Sequence, residues 1–292
     1  MKSMFIINPV SGKGVGSRPE TMIEQIEAAY TKAGFEFAIR IWDVPERLDS
    51  LIDEALQEEF SVVVAAGGDG TINEIAKRLV GTNLILGVIP IGSGNGFARH
   101  LGYSRNPRIA IAQLIQAEAR AVDLGDFGGT TFINNAGIGI DAAVAEAFSK
   151  TNKRSFKTYI KLASRTFLRF KKFDCKLVVD GEREYHCEDL MLWGNGAKIA
   201  PVSRIDDGYL EAVVMRKAKL FEVPRLVKLL FSGKIYRHSS IKFIRGKTFE
   251  IYRKQSGHAH VDGEYLPMGE RITCQILEKS ISLLFPKTMA FS

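Results

Sequence analysis

Between Ser61 and Gly102 the sequence runs twice through one arrangement: an apolar strand, a glycine-rich turn and a helix start. The first copy opens with Val62-Val63-Val64-Ala65-Ala66, too short for an ordinary helix and β-branched enough for a buried parallel strand. It continues through Gly67-Gly68-Asp69-Gly70-Thr71 into a helical pattern from Ile72 to Val80. The second copy has a strand from Leu84 to Ile89 and the turn Pro90-Ile91-Gly92-Ser93-Gly94-Asn95-Gly96. Two such units in tandem bring two clusters of backbone N–H groups to one sheet edge. Glycines let main chain approach anionic oxygens, and each following helix adds a partial positive end, so the arrangement suits a polyphosphate.

Asp69 is the exception among these residues. A carboxylate set among phosphate-binding amides repels the ligand unless a cation lies between them, which points to Mg²⁺. The competing explanation is an ordinary βα turn with Asp69 as a helix cap. Two familiar phosphate motifs are excluded. Gly12-Lys13-Gly14-Val15-Gly16-Ser17 lacks the Gly-Lys-Ser/Thr of a P-loop, and Gly92-x-Gly94-x-Gly96 lacks dinucleotide spacing.

The flanking sequence extends the alternation. Phe5 to Ile7 reads as a strand, Arg18 to Ala33 as a helix ended by Gly34, Phe35 to Trp42 as a strand and Leu48 to Phe60 as a helix. Ile109 to Ala119 reads as another helix, giving an α/β, doubly wound N-terminal nucleotide-binding domain over residues 1–125. After Arg120 short strands dominate: 130–136, 175–179, 184–193, 210–215, 241–245, 248–252, 258–261 and 271–277. They predict a C-terminal antiparallel β-sandwich domain over residues 126–292, whose last run, Ile281 to Phe285, is similar to one that returns to the first domain in related proteins. From Ala142 to Lys172 a helical stretch carries Phe156, Tyr159 and Phe167 on one side and Lys153, Lys157, Lys161 and Arg165 on the other. Such a helix suits an anionic bilayer, or packs on its own domain with its charges in solvent. Leu220 to Phe231, with Arg225 and Lys228, is a weaker candidate of the same kind.

Composition narrows the classes further. The 292 residues carry 40 Lys and Arg against 33 Asp and Glu, a net charge of +7, compatible with anionic partners and equally with plain solubility. No apolar run approaches a membrane span, and Met1 to Ile7 reads as a short strand instead of a signal peptide. Cys175, Cys187 and Cys274 lack metal-like spacing and suggest reduced thiols in a cytoplasmic protein. No base-reading element accompanies the basic residues, so nucleic acid is not an expected partner.

Four ordered motifs carry a family resemblance. Asn8-Pro9-Val10-Ser11-Gly12-Lys13, Gly67-Gly68-Asp69-Gly70-Thr71 with Asn73-Glu74, Gly92-Ser93-Gly94-Asn95 and Phe97-Ala98-Arg99 resemble the diacylglycerol kinase catalytic domain. That family includes bacterial lipid kinases and sphingosine kinases, with NAD kinases more distant. The resemblance implies an ATP- and Mg²⁺-dependent kinase acting on a membrane lipid hydroxyl in a cleft between two domains, at the inner face of the membrane. Peripheral membrane contact and a homodimer are implied as well. The implied nucleotide-binding residues are Asn8, Pro9, Val10, Ser11, Gly12, Lys13, Gly67, Gly68, Asp69, Gly70, Thr71, Ile72, Asn73, Glu74 and Ser93, with Trp42 on the adenine side. Asn95-Gly96 departs from the Asn-Asp of many diacylglycerol kinases and resembles the sphingosine kinase side.

Phosphoryl transfer to an alcohol also needs a proton acceptor. His260-Val261-Asp262-Gly263-Glu264 offers two carboxylates in a turn after a strand, and either Asp262 or Glu264 fits as catalytic base beside Asp69. A plain β-turn with exposed acids competes with that assignment. Pro201 to Leu210 resembles a family loop that holds a structural Mg²⁺, implying ligation by Asp207 and the carbonyls of Arg204 and Tyr209; an Asp-Gly hairpin is the alternative. Asp123 sits at the expected domain junction. NAD kinase, and a nucleotide- or lipid-binding regulator without turnover, are the other functions considered.

Overall fold

In the computed structural model the chain divides into two units, residues 1–122 with 279–292, and residues 123–278. The structure describes residues 2–11, 18–92, 94–149, 162, 165–166, 174–187, 190–194, 205–215, 220–231, 238–239 and 241–287. The basic stretch after Ser149 lies almost wholly outside them.

The first unit is a parallel sheet wrapped by helices. Its strands are β1 (Ser3–Ile7), β2 (Phe37–Ile41), β3 (Val62–Gly67) and β4 (Ile85–Pro90), in spatial order β2-β1-β3-β4. Every residue of β1 and β3 is buried, as expected of central strands covered on both faces. The helices are α1 (Pro19–Ala33), α2 (Arg47–Gln57), α3 (Asp69–Leu79), α4 (Gly96–His100) and α5 (Pro107–Ile115). Pro at the start and left-handed Gly34 at the end delimit α1, which buries Met22, Ile26 and Tyr30. Tyr30 meets Phe5 of β1 edge to face at 4.8 Å. Helix α5 starts earlier than the sequence pattern suggests, because Asn106 accepts the Arg108 N–H and Pro107 supplies a ready-made first turn.

The second unit is antiparallel. β7 (Asn135–Gly139), β10 (Leu190–Gly194), β11 (Leu210–Met215), β12 (Ile241–Gly246), β14 (Gly257–Val261) and β15 (Glu264–Met268) form one sheet, in order β12-β11-β10-β7-β14-β15. β8 (Cys175–Val179), β9 (Arg183–Cys187), β13 (Thr248–Arg253) and the first part of β16 (Arg271–Phe285) form the other, with β5 (Glu118–Phe127) pairing β16 and β6 (Thr130–Phe132). One hydrophobic core joins the two sheets: Ala136, Ile138, Leu210, Ala212 and Val261 from the first, Leu177, Val179, Phe249, Ile251 and Cys274 from the second. The three cysteines are free and buried. Helices α6 (Ile140–Ser149) and α7 (Val223–Phe231) complete the described elements.

Several strands differ from the sequence pattern. The expected strand 130–136 breaks into β6 and β7, because the N–H groups of Ile133, Asn134 and Asn135 all donate to the Asp262 carboxylate. The run 184–193 divides between β9 and β10, which lie in different sheets. The segments 271–277 and 281–285 are one strand, β16, whose Ser282 and Leu283 pair in parallel with Ile85 and Leu86 of β4. β15 escaped notice because Pro267 interrupts it; the structure places it at a sheet edge, where proline is tolerated.

Candidate active site

The loops following β1, β3 and β4 lie together at the carboxyl ends of these parallel strands. Main-chain bonds fix their starts: Asn8 N–H donates to Ala66 at 3.1 Å and Ile91 N–H to Gly67 at 3.0 Å. Gly68 precedes α3 in an extended conformation, with φ −88° and ψ −177°, and offers no side-chain cap. Among the described residues no side chain caps this end, and the first-turn amides of α3 suit an anion, reinforced by the helix dipole.

Thr71 ties the first loop to this helix. Its Oγ1 accepts from Asn8 Nδ2 at 3.0 Å and lies 3.4 Å from Ser11 Oγ, while Asn8 Oδ1 accepts from the Val10 N–H at 3.1 Å. Pro9 and Val10 are exposed, Val10 at 88%. Gly12, Lys13 and Ser93 lie outside the described residues.

Asp69 joins the two glycine loops. Its Oδ2 accepts from Gly96 N–H at 3.0 Å and its Oδ1 from Phe97 N–H at 3.1 Å. The carboxylate that opens α3 thus caps α4, a different helix. This differs from the cap of its own βα turn that the sequence offered, and it is compatible with a cation ligand: each carboxylate oxygen keeps a lone pair after accepting one N–H. A β-carbon on Gly94 would lie 3.2 Å from Asp69 Oδ2, so glycine keeps that side of the carboxylate open. A Mg²⁺ ion held by one carboxylate, phosphate oxygens and waters fits such a donor set. Among the described residues no group of three or more His, Cys, Asp and Glu could hold a metal by itself.

Asn95, in the left-handed region at φ 50°, precedes α4 and donates from Nδ2 to Gly92 O at 2.6 Å. The sequence pattern assigned only Ser93 from this turn. The Gly96 and Phe97 amides that grip Asp69 went unrecognised, since a main-chain donor leaves no side-chain signature. Among the described residues, buried Asn73 Oδ1 and Asn95 Oδ1 find no hydrogen-bond partner. Ile72 is fully buried and packs the helix, while Glu74 pairs with Lys77 at 3.1 Å and Arg78 at 2.9 Å. Burial opposes ionisation of Glu74, and the bonds from Arg78 and Lys77 outweigh it, holding its carboxyl below the usual range. Trp42 N–H donates to Ile7 O at 2.9 Å at the end of β2, and its buried indole Nε1 finds no partner among the described residues.

In the second unit, Asp262 and Gly263 have φ 50° and 86°, the pair of positive values a type I′ hairpin requires between β14 and β15. Asp262 Oδ2 accepts from Ile133 N–H at 2.9 Å, and Oδ1 from Asn134 at 2.8 Å and Asn135 at 2.9 Å. Its own N–H donates to Asn135 O at 2.7 Å. Glu264, two residues on, is exposed. The hairpin thus separates a carboxylate committed to backbone from one that faces solvent.

The loop implied to hold a structural ion is described from Ile205 onward, and Arg204 lies outside the described residues. Asp123, 2% exposed, donates its N–H to Ile205 O at 2.7 Å and accepts the Gly208 N–H on Oδ2 at 2.7 Å. Asp207 meets the Arg245 guanidinium at 2.6 Å. Among the described residues no helix is long and apolar enough to cross a membrane.

Comparison with known proteins agrees with this arrangement. The diacylglycerol kinase catalytic domain model matches residues 2–127, and the YegS C-terminal NAD kinase beta sandwich-like domain model matches residues 134–284. The chain is 29% identical to a diacylglycerol kinase of Staphylococcus carnosus (strain TM300), over 90% of this chain and 89% of the relative. It is 28% identical to a diacylglycerol kinase of Bacillus subtilis (strain 168), over 99% and 98%. A diacylglycerol kinase structure from Bacillus anthracis str. Sterne superposes with a TM-score of 0.73 at 20% identity, covering 98% of this chain and 97% of that one. A second structure from the same organism gives 0.79 at 23% identity, with the same coverage, a likeness of fold. On the two family matches, the chain belongs to the diacylglycerol kinase family of kinases, with a YegS-type C-terminal domain.

Proposed function

We propose that this protein transfers the γ-phosphoryl group of ATP, with Mg²⁺, to a hydroxyl of a membrane lipid such as diacylglycerol or a sphingoid-like alcohol. The observation that carries this proposal is Asp69, a carboxylate from the first glycine loop that is gripped by the Gly96 and Phe97 amides after the second. Asn8, Ser11 and Thr71 hold the first loop against α3. The first-turn amides of α3 receive phosphate oxygens, and Gly12, Lys13 and Ser93 complete the set by family resemblance. Bound Mg²⁺ supplies the charge neutralisation that lets Asp69 and the phosphates share this space. The Trp42 indole, a buried donor without a partner among the described residues, suits the base or ribose of the nucleotide.

Glu264 is the better proton acceptor for the lipid hydroxyl. Asp262 commits both oxygens to three main-chain N–H groups that hold the 133–135 loop, whereas Glu264 is exposed. The substrate places the protein at the inner face of the membrane, transiently and from the cytoplasm. Phe221, 76% exposed, stands in the short turn before α7, whose Arg225 and Lys228 are exposed, and this segment offers a site for that contact.

Radiolabelled ATP with a total lipid extract tests the proposal. A labelled lipid is expected, and it should vanish in Asp69→Asn. Label appearing on NAD instead would identify a NAD kinase, and tight ATP binding without transfer would identify a regulator. Either result overturns the lipid kinase assignment.

A further inference from the structure

The residues around the 205–209 loop bear on whether an ion belongs there. Asp207 Oδ1 accepts from the Tyr209 N–H at 3.2 Å, and Oδ2 accepts from Arg245 Nη2 at 2.6 Å. Arg245 faces Glu211 across the β11–β12 ladder, and Glu211 is only 6% exposed. Its Oε1 stands 3.7 Å from Arg245 Nε. One guanidinium therefore answers two carboxylates. The Tyr209 ring adds a third contact, its centroid 4.2 Å from Arg245 Cζ. Lys247 Nζ is 5.6 Å from the same ring and pairs with Glu278 at 2.6 Å.

A divalent ion fits this place poorly. Mg²⁺ demands near-octahedral oxygen ligands, and it would have to share the Asp207 carboxylate with a fixed positive charge. The backbone of the loop is fixed by other means: the Asp123 N–H and carboxylate hold Ile205 O and Gly208 N–H, and Gly208 takes φ +73°. Among the described residues, Asp207 has a cationic partner in Arg245, and the turn at Gly208 has an anchor in Asp123.

We propose that Arg245 is the resident cation of this loop, so that the second unit keeps its fold without a divalent ion at Asp207. This concerns stability alone; the Mg²⁺ that accompanies ATP at Asp69 is a separate matter, and either result leaves the kinase proposal standing.

The test uses the full chain without nucleotide, in an Asp69→Asn background so that the phosphate loops contribute no ion. Thermal unfolding is followed in EDTA and again in millimolar Mg²⁺, and Mn²⁺ binding is counted by electron paramagnetic resonance. Equal melting midpoints and no tight Mn²⁺ site are expected. A midpoint that falls on chelation and recovers with Mg²⁺, or one tight Mn²⁺ per chain, overturns the proposal. Arg245→Met keeps much of the apolar stem and removes the charge. It is expected to melt lower in EDTA and to gain stability with Mg²⁺; identical melting in both conditions overturns the claim that the guanidinium stands in for an ion. Should Arg245→Met fail to fold, Arg245→Lys, which restores a cation, is expected to fold and to ignore Mg²⁺. A metal response in Arg245→Lys counts against the proposal.

Discussion

A β-carbon placed on Gly92 would sit 2.6 Å from the Cα of Gly68, so the two glycine loops meet main chain against main chain. The same carbon would lie 2.8 Å from Asn95 Oδ1. Backbone cannot rotate away as the end of a flexible side chain can, and the strain of overpacking is typically about 1–3 kcal/mol. Gly92→Ala is expected to lower stability by that order and to separate the loops, raising KM for ATP. Urea unfolding and ATP-dependent turnover measure the two effects.

Gly70 poses the opposite case. Beyond its own helix backbone, no described residue lies within 4 Å of a β-carbon built there, and the residue is in the first turn of α3. Alanine should help the helix by up to about 1 kcal/mol, judged from intrinsic propensity. If phosphate oxygens occupy the open space, the methyl group takes their place. Gly70→Ala is therefore expected to melt at the wild-type temperature or above while losing ATP binding by isothermal titration calorimetry. Unchanged ATP affinity would remove the α3 amides from the site.

Asp262 and Glu264 should part in their variants. Asp262→Asn keeps a side chain tolerated at φ 50°, but its amide nitrogen must face a main-chain donor where an oxygen now accepts. A buried donor left without an acceptor costs about 1–3 kcal/mol, and the loop 133–135 should loosen accordingly. Glu264→Gln changes an exposed side chain, so stability should hold to within about 0.5 kcal/mol. Loss of a general base instead lowers kcat by roughly 10²–10⁴-fold. Normal turnover in Glu264→Gln would exclude it as the base.

The parallel unit was legible because its signals are local. Val62 to Ala66 is apolar throughout, Gly34 and Pro19 mark helix ends, and the glycine turns announce themselves by composition. What could not be read were contacts made by main chain across long sequence distances. Asp69 reaches amides at Gly96 and Phe97, and Asp262 reaches back to Ile133, Asn134 and Asn135. Such bonds need an acid at one end and any residue at the other, so the second partner is invisible in the sequence. The Arg245–Glu211 pair was hidden for a related reason: opposite charges become neighbours only once the β11–β12 register is known.

A second hairpin makes stability depend on pH. Asp180 and Gly181 take φ 54° and 73° between β8 and β9, and Asp180 Oδ1 accepts the N–H groups of Lys247 at 2.7 Å and Thr248 at 3.0 Å. Burial works against the charged form, but the bonds from Thr248, Lys247 and Arg183 prevail and lower the carboxyl below its ordinary 3.8. A carboxyl lowered by folding adds stability that is complete above the unfolded-state value and disappears as pH falls through the folded one. Asp180→Asn preserves the left-handed turn and removes only the charge and one acceptor. The stability difference between wild type and variant should therefore be largest near neutrality and shrink below pH 3.8. Urea unfolding of both proteins from pH 7 down to about pH 3 reads this directly, and a difference that grows on acidification would show that the carboxylate is not what holds Lys247 and Thr248 in place.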